Sequence, residues 1–132
     1  MTSGNNLRDD PAESEIDMTK DELFTAFLDS LNQPFIFVDT EHVIRYMNKP
    51  AVERYKGRPA ALGRSIFDCH NENSNRIIRE VFEGLKQGEE ERMIADSDEH
   101  RVYMRAVRDK DGRLLGYYER FEPPRESVDK DR

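Results

Sequence analysis

Cys69 and His70 are the residues whose types and spacing invite chemistry. Cys69 is the only cysteine of the chain and His70 one of three histidines. The run Asn71-Glu72-Asn73-Ser74-Asn75, rich in helix-starting residues, follows directly. A thiol just ahead of a helix N-terminus is favoured as thiolate, which suits a ligand bond or reversible oxidation. The same dipole disfavours a protonated His70. The plainer alternative is a small packed cysteine, since free Cys is among the most buried residue types, with His70 bonded to a loop carbonyl. An enzyme using Cys69 with His70 is the weakest reading, because adjacent residues rarely point at each other as a nucleophile and its base must.

Other constellations carry less. A structural zinc site needs four ligands, which one cysteine and the scattered His42, His70 and His100 do not supply, so no metal is expected. Asp39 and Glu41 read as turn residues, and no catalytic residue is assigned. Gly84 and Gly88 do not make a phosphate loop. Arg105 and Arg108 near Tyr103 resemble a single-strand nucleic-acid surface only superficially. The net charge of −7 argues against nucleic acid and against an anionic membrane surface.

A chain of 132 residues has room for one domain with one modest core. Charged residues make up 37% and hydrophobic ones 36%, but the apolar residues are clustered, which points to a compact domain with polar tails. A single cysteine forms no internal disulfide and fits a reducing, cytoplasmic setting. The polar start Met1-Thr2-Ser3-Gly4-Asn5-Asn6 has no apolar signal core, and no apolar run is long enough to span a bilayer.

The elements that must position Cys69 and His70 follow from periodicity. Residues 1–18 read as a mobile tail. Thr19 and Glu22 have capping-box spacing, and Leu23, Phe24, Phe27, Leu28 and Leu31 form one stripe of an amphipathic helix. Phe35-Ile36-Phe37-Val38-Asp39 is a strand apolar on both faces, which predicts burial on both sides. Thr40-Glu41-His42 is a turn and Val43–Asn48 the partner strand. Pro50 opens a short helix with Ala51, Val52 and Tyr55 inward and Gly57 at its close. Asn73 or Ser74 caps a longer helix with Ile77, Ile78, Val81, Phe82 and Leu85 on one stripe, closed by Gly88. Three strands remain, at about 89–95, 101–108 and 114–122, with Asp111-Gly112 as a hairpin signal. Pro123-Pro124 ends the last strand, and 123–132 is a second tail. This order is an α+β layer with an antiparallel sheet and helices on one face.

With these residues, the order resembles a PAS sensor domain over about residues 20–122. Phe35–Asp39 followed by Val43–Asn48 resembles the opening PAS hairpin, with Asn48 at its customary end. Leu62-Gly63-Arg64-Ser65-Ile66-Phe67 is similar to the turn before the long PAS helix. Phe82–Gly88 looks like the close of that helix, and Val107–Gly116 like the final hairpin. Phe67-Asp68-Cys69-His70 is similar to a subgroup of bacterial PAS domains with an Asn/Asp-Cys-His turn.

The resemblance implies a five-stranded antiparallel sheet and a domain spanning 19–122. The implied role is a sensory and protein-interaction module of signal transduction, not an enzyme, in which helices and the inner sheet face enclose a small pocket. Pocket candidates are Phe37, Tyr55, Phe67, Cys69, His70, Ile78, Phe82, Met93 and Met104. The pocket would bind a small ligand or respond to redox state. The alternative is a ligand-free interaction domain with a filled core. No cofactor is expected first. Haem on His70, with Met93 or Met104 opposite, is the cofactor alternative, although His70 stands at the start of the long helix rather than within it. A Cys69-linked chromophore lacks recognisable glutamate and tyrosine partners. The partners implied are an unidentified signalling protein and a second copy of the chain, with Leu23, Phe24, Phe27, Leu28 and Leu31 as the homodimer seam.

Overall fold

A computed structural model describes residues 17–55 and 61–125. The proposed tails and Gly57 fall largely or wholly outside them. By its internal contacts the chain divides between Asn32 and Gln33.

The first unit holds α1 (Lys20–Ser30). Its capping box is complete: Thr19 Oγ1 accepts from Glu22 N at 3.1 Å, and Glu22 Oε1 accepts from Thr19 N at 2.9 Å. Phe24 and Phe27 are 55% and 60% exposed.

The second unit holds β1 (Phe35–Asp39), β2 (Ile44–Met47), α2 (Lys49–Arg54), a 3₁₀ turn (Ile66–Cys69), α3 (Glu72–Lys86), β3 (Glu91–Asp96), β4 (Arg101–Arg108) and β5 (Leu114–Glu122). The five strands make one sheet in the order β2-β1-β5-β4-β3, every pair antiparallel. The expected α+β class and five-stranded sheet are therefore present.

Asn48 joins the first hairpin to α2. Its Oδ1 accepts from Phe35 N at 2.9 Å and Ala51 N at 3.1 Å, while Nδ2 donates to Gln33 O at 2.9 Å. One fully buried amide thus starts β1 and caps α2. A bulge in β2 between the Phe37↔Tyr46 and Val38↔Ile44 pairs lets Ile44 and Met47 both turn inward.

The β1–β2 turn is held by Asp39, whose Oδ1 accepts from Glu41 N at 2.9 Å and Val43 N at 3.0 Å. Burial disfavours its charge, but these bonds and the Arg45 guanidinium carry the carboxyl below its ordinary range. His42 in this turn has a φ of 68°. Its carbonyl accepts from Ile66 N at 2.8 Å, which ties the turn to the segment carrying Cys69 and His70.

α3 starts two residues earlier than its nearer expected cap. Asn71 caps it, with Oδ1 accepting from Ser74 N at 2.8 Å, and not Asn73 or Ser74. Ile78, Val81, Phe82 and Leu85 are buried against the sheet. The Arg108 guanidinium closes the far end, donating to Leu85 O at 2.7 Å and Glu89 O at 3.1 Å.

β1 is not buried on both sides. Ile36 and Val38 are buried, while Phe35 and Phe37 are half-buried on the other face, where Phe35 meets Tyr118 at 5.6 Å. That face carries an ion-pair lattice. Arg120 pairs with Glu91 and Glu122, Arg101 with Glu122, and Arg105 with Glu91. The arginines that hinted at nucleic acid are therefore engaged within the sheet or, for Arg108, at the end of α3. No helix among the described residues is long and apolar enough to cross a membrane.

Candidate functional site

The inner sheet face and α3 enclose a cavity of about 190 Å³. Ser74, Ile77 and Ile78 of α3 form one wall, and Ile94, Ala95 and Val102 of β3 and β4 form another. Glu119 and Phe121 enter from β5, Arg54 and Tyr55 from the end of α2, His70 from the turn before α3, and His100 from the loop before β4.

Glu119 is the unexpected residue. Alternation along β5 turns Tyr117, Glu119 and Phe121 to the inner face, where all three are buried. In register, Glu119 lies between Ile36 and Met104, both buried and apolar. It is only 3% exposed, and among the described residues its Oε2 has no hydrogen-bond partner. Burial pushes its carboxyl above the ordinary 4.5, and the charge of a protonated His70 works in the opposite direction. Burial therefore favours the protonated form of this acid more than water does.

His70 is aimed by its own turn. Its Nδ1 lies 3.0 Å from the Ile66 carbonyl oxygen, a contact that requires Nδ1 to carry the proton. This leaves Nε2 as the ring atom for the cavity. Its neighbour Cys69 lines a second, much smaller gap of about 20 Å³ with Ile36, Ile44, Met47 and Ile66. That gap has room for about one water. The Cys69 thiol sits at 3.9 Å from the Ser65 carbonyl oxygen within the 3₁₀ turn, two residues ahead of the Asn71 cap. The residue facing the larger cavity from this turn is the histidine.

A second polar group is built into the aromatic core. His42 Nδ1 and Tyr117 Oη are 2.9 Å apart. The His42 ring also meets Phe82 at 4.6 Å and Phe67 at 4.7 Å. Burial lowers the His42 pKa, helped by the charges of Arg79 and Lys86 and opposed by Asp39. Burial likewise raises the Tyr117 phenol, reinforced by Glu119 and Asp39. Tyr117 thus carries a hydrogen-bonded connection from the strand of Glu119 to the β1–β2 turn.

Of the expected pocket residues, Tyr55, His70 and Ile78 line the larger cavity, and Tyr55 and His70 also border the smaller gap with Cys69. Phe82 and Met104 are buried in the core instead. Phe67 is half-buried beneath the Arg79 guanidinium, 4.2 Å from its ring. Phe37 and Met93 stand on the opposite sheet face, paired in register with Tyr118 and Tyr103. Glu119, Arg54, Ser74 and His100 were not anticipated. The inward phase of Tyr117 and Phe121 is the signal that would have found Glu119.

Among the described residues, no three His, Cys, Asp or Glu side chains are grouped to hold a metal ion. A haem on His70 does not fit the cavity. Its volume is below the ~300–1,000 Å³ that even drug-sized ligands occupy. Met93 lies across the sheet, and Met104 is fully buried.

A family model described as a PAS domain matches residues 24–122. This chain belongs to the PAS domain family, whose members are sensory modules of signalling. The fold recurs in solved structures. A C-terminal domain from Streptococcus mutans is 24% identical, with a TM-score of 0.68 over 80% of this chain and 85% of that one. The PAS domain of a Colwellia psychrerythraea protein is 10% identical, with a TM-score of 0.59 over 77% and 94%. A sensory box sensor histidine kinase from Vibrio cholerae is 16% identical, with a TM-score of 0.56 over 78% and 90%. No curated protein matches the sequence.

Proposed function

We propose that this PAS domain senses a small molecule held in the cavity between α3 and β3–β5, with Glu119 and His70 as its polar recognition groups. The observation that carries this reading is the Glu119 carboxyl. Glu119 is buried on an apolar sheet face and lines the cavity, and among the described residues its Oε2 has no partner. A buried polar group left unsatisfied costs about 1–3 kcal/mol, so a ligand that satisfies it gains what the empty domain forgoes. Occupancy acts on the fold by differential affinity. A ligand drawing Glu119 toward α3 stabilises one packing of β5 against the helix. Tyr117 and His42 pass the difference to the β1–β2 turn. The role is sensing, with no catalytic residue assigned.

The test is retention from a pool of small metabolites, read by native mass spectrometry. Ile78→Phe, which fills the cavity, serves as the blank, with a melting curve to show that it folds. Retained mass on the unmutated chain and none on the variant is expected. If the unmutated chain retains nothing, the ligand reading fails and the domain is a ligand-free interaction module.

A separate observation favours self-association. Phe24 and Phe27 lie on one stripe of α1 and are both exposed. We propose that α1 is a homodimer seam, the stripe of one chain packing on its symmetry mate. Sedimentation should show a dimer at tens of micromolar that Phe27→Glu weakens. A monomer for the unmutated chain would overturn this.

A further inference from the structure

We propose that the ligand is a small aliphatic zwitterion of the amino-acid type, its ammonium group at Glu119 and His70 and its carboxylate at Arg54. This rests on the sensing role of the cavity and specifies the chemistry that the cavity selects.

The buried end of the cavity calls for hydrogen-bond donors. Among the described residues Glu119 Oε2 has no partner, and with His70 Nδ1 donating to the Ile66 carbonyl at 3.0 Å, Nε2 of the neutral ring presents a lone pair. An ammonium group supplies three donors and a positive charge. Beside it, Glu119 as a carboxylate is the counter-ion. A carboxylate at the same end would meet the His70 lone pair and a carboxyl with one proton to offer.

The exposed end has the opposite character. The Arg54 guanidinium lies 4.7 Å over the Phe121 ring and within 3.1–3.2 Å of the His100 ring nitrogens. No acidic side chain pairs with it among the described residues, although the arginines of the outer sheet face are all paired with carboxylates. Aromatic and imidazole contacts leave guanidinium donors that a carboxylate takes well. Among the described residues, the cavity thus has a carboxyl with an unpartnered oxygen at one end and a guanidinium with no paired acid at the other.

Ile77, Ile78, Ile94 and Val102 make much of the remaining lining aliphatic. The volume of about 190 Å³ suits a molecule well below drug size. A plain amine satisfies only the buried end and a plain carboxylate only Arg54. The zwitterion satisfies both.

Calorimetric titration of the full chain with three probes of one shape separates these cases: L-valine, isobutylamine, which lacks the carboxylate, and isovalerate, which lacks the ammonium group. Alanine and leucine bracket the size. At least one of the three amino acids should bind, at least tenfold more tightly than isobutylamine or isovalerate. Glu119→Gln and Arg54→Met should each weaken that binding at least tenfold, with melting curves confirming that both variants fold. Equal or tighter binding of isobutylamine or isovalerate overturns the proposal, as does failure of all three amino acids. Retention from the metabolite pool of a molecule that is not a zwitterion overturns it while the sensing role stands. A chain that retains nothing from the pool loses both.

Discussion

Replacing Glu119 with glutamine keeps the shape of the side chain and removes its ability to ionise, so it isolates what burial of this acid does to stability. Glu119 is 3% exposed between Ile36 and Met104, and burial raises its carboxyl above the ordinary 4.5. A carboxyl raised in the folded state favours the fold while protonated. That stabilisation is complete below 4.5 and is lost as the pH rises through the folded value. Wild type and Glu119→Gln should therefore be about equally stable near pH 4. Above it the variant gains on wild type by at most about 1.4 kcal/mol per pH unit. The ceiling at pH 7 is about 3 kcal/mol, and the charge of a protonated His70 reduces it, so the variant is expected to be the more stable by on the order of 1 kcal/mol or more. Asp39, Glu91 and Asp109, whose carboxyls are held low, lose their contributions only as the pH falls. They are the same in both proteins and cancel in the difference. Urea unfolding followed by circular dichroism at half-unit steps from pH 4 to 8 measures the gap. Curves that stay parallel within about 0.5 kcal/mol across that range would refute the burial argument, because a Glu119 that ionised freely would give no pH-dependent difference.

Further expectations follow from named contacts. Asn48→Ala removes the α2 cap and leaves Phe35 N–H and Gln33 C=O unpaired, a loss of about 3 kcal/mol in chemical denaturation; a loss below about 1 kcal/mol would mean that water replaces the amide. Phe82→Ala takes a buried ring out from between α3, His42 and Tyr117 and should cost about 3–5 kcal/mol; a cost below about 1 kcal/mol would place that ring outside the core. Gly116→Ala sets a methyl against the Val38 carbonyl and the Phe37 ring at a φ of 156°, and should lower stability by about 1–3 kcal/mol; an unchanged melting temperature would show that β5 shifts to accommodate it.

Most of the frame was legible because it rests on local rules. Thr19 with Glu22, the stripe from Ile78 to Leu85 and the two final strands are written in capping and periodicity, and their bounds fall where those patterns end. The start of α3 was misplaced because Asn71, Asn73 and Ser74 are all good caps. The choice fell to Asn71, with the Asn75 side chain buried one turn later and donating to Phe67 O at 3.0 Å. β1 was expected to be buried on both sides from its composition. What the composition omits is that Tyr118 and an ion-paired sheet face suffice as neighbours for Phe35 and Phe37.

The site was less legible, and for a physical reason. Reactive types drew attention to Cys69, yet the thiol sits against a gap with room for about one water, while its neighbour His70 faces the larger cavity. Glu119 drew none, because in Tyr117-Tyr118-Glu119-Arg120-Phe121 it is flanked by an arginine and reads as half of a surface pair. The sheet separates that pair. Arg120 goes outward to Glu91 and Glu122, and Glu119 goes inward between Ile36 and Met104. Strand phase, once fixed by Tyr117 and Phe121, leaves no other choice, since shifting β5 by one residue would expose both rings and bury Arg120. The packing that builds the core thus also forces one acid into it. A chain indifferent to what the cavity holds would gain by exchanging that acid for an apolar residue, as it has at Ile36 and Met104 on either side.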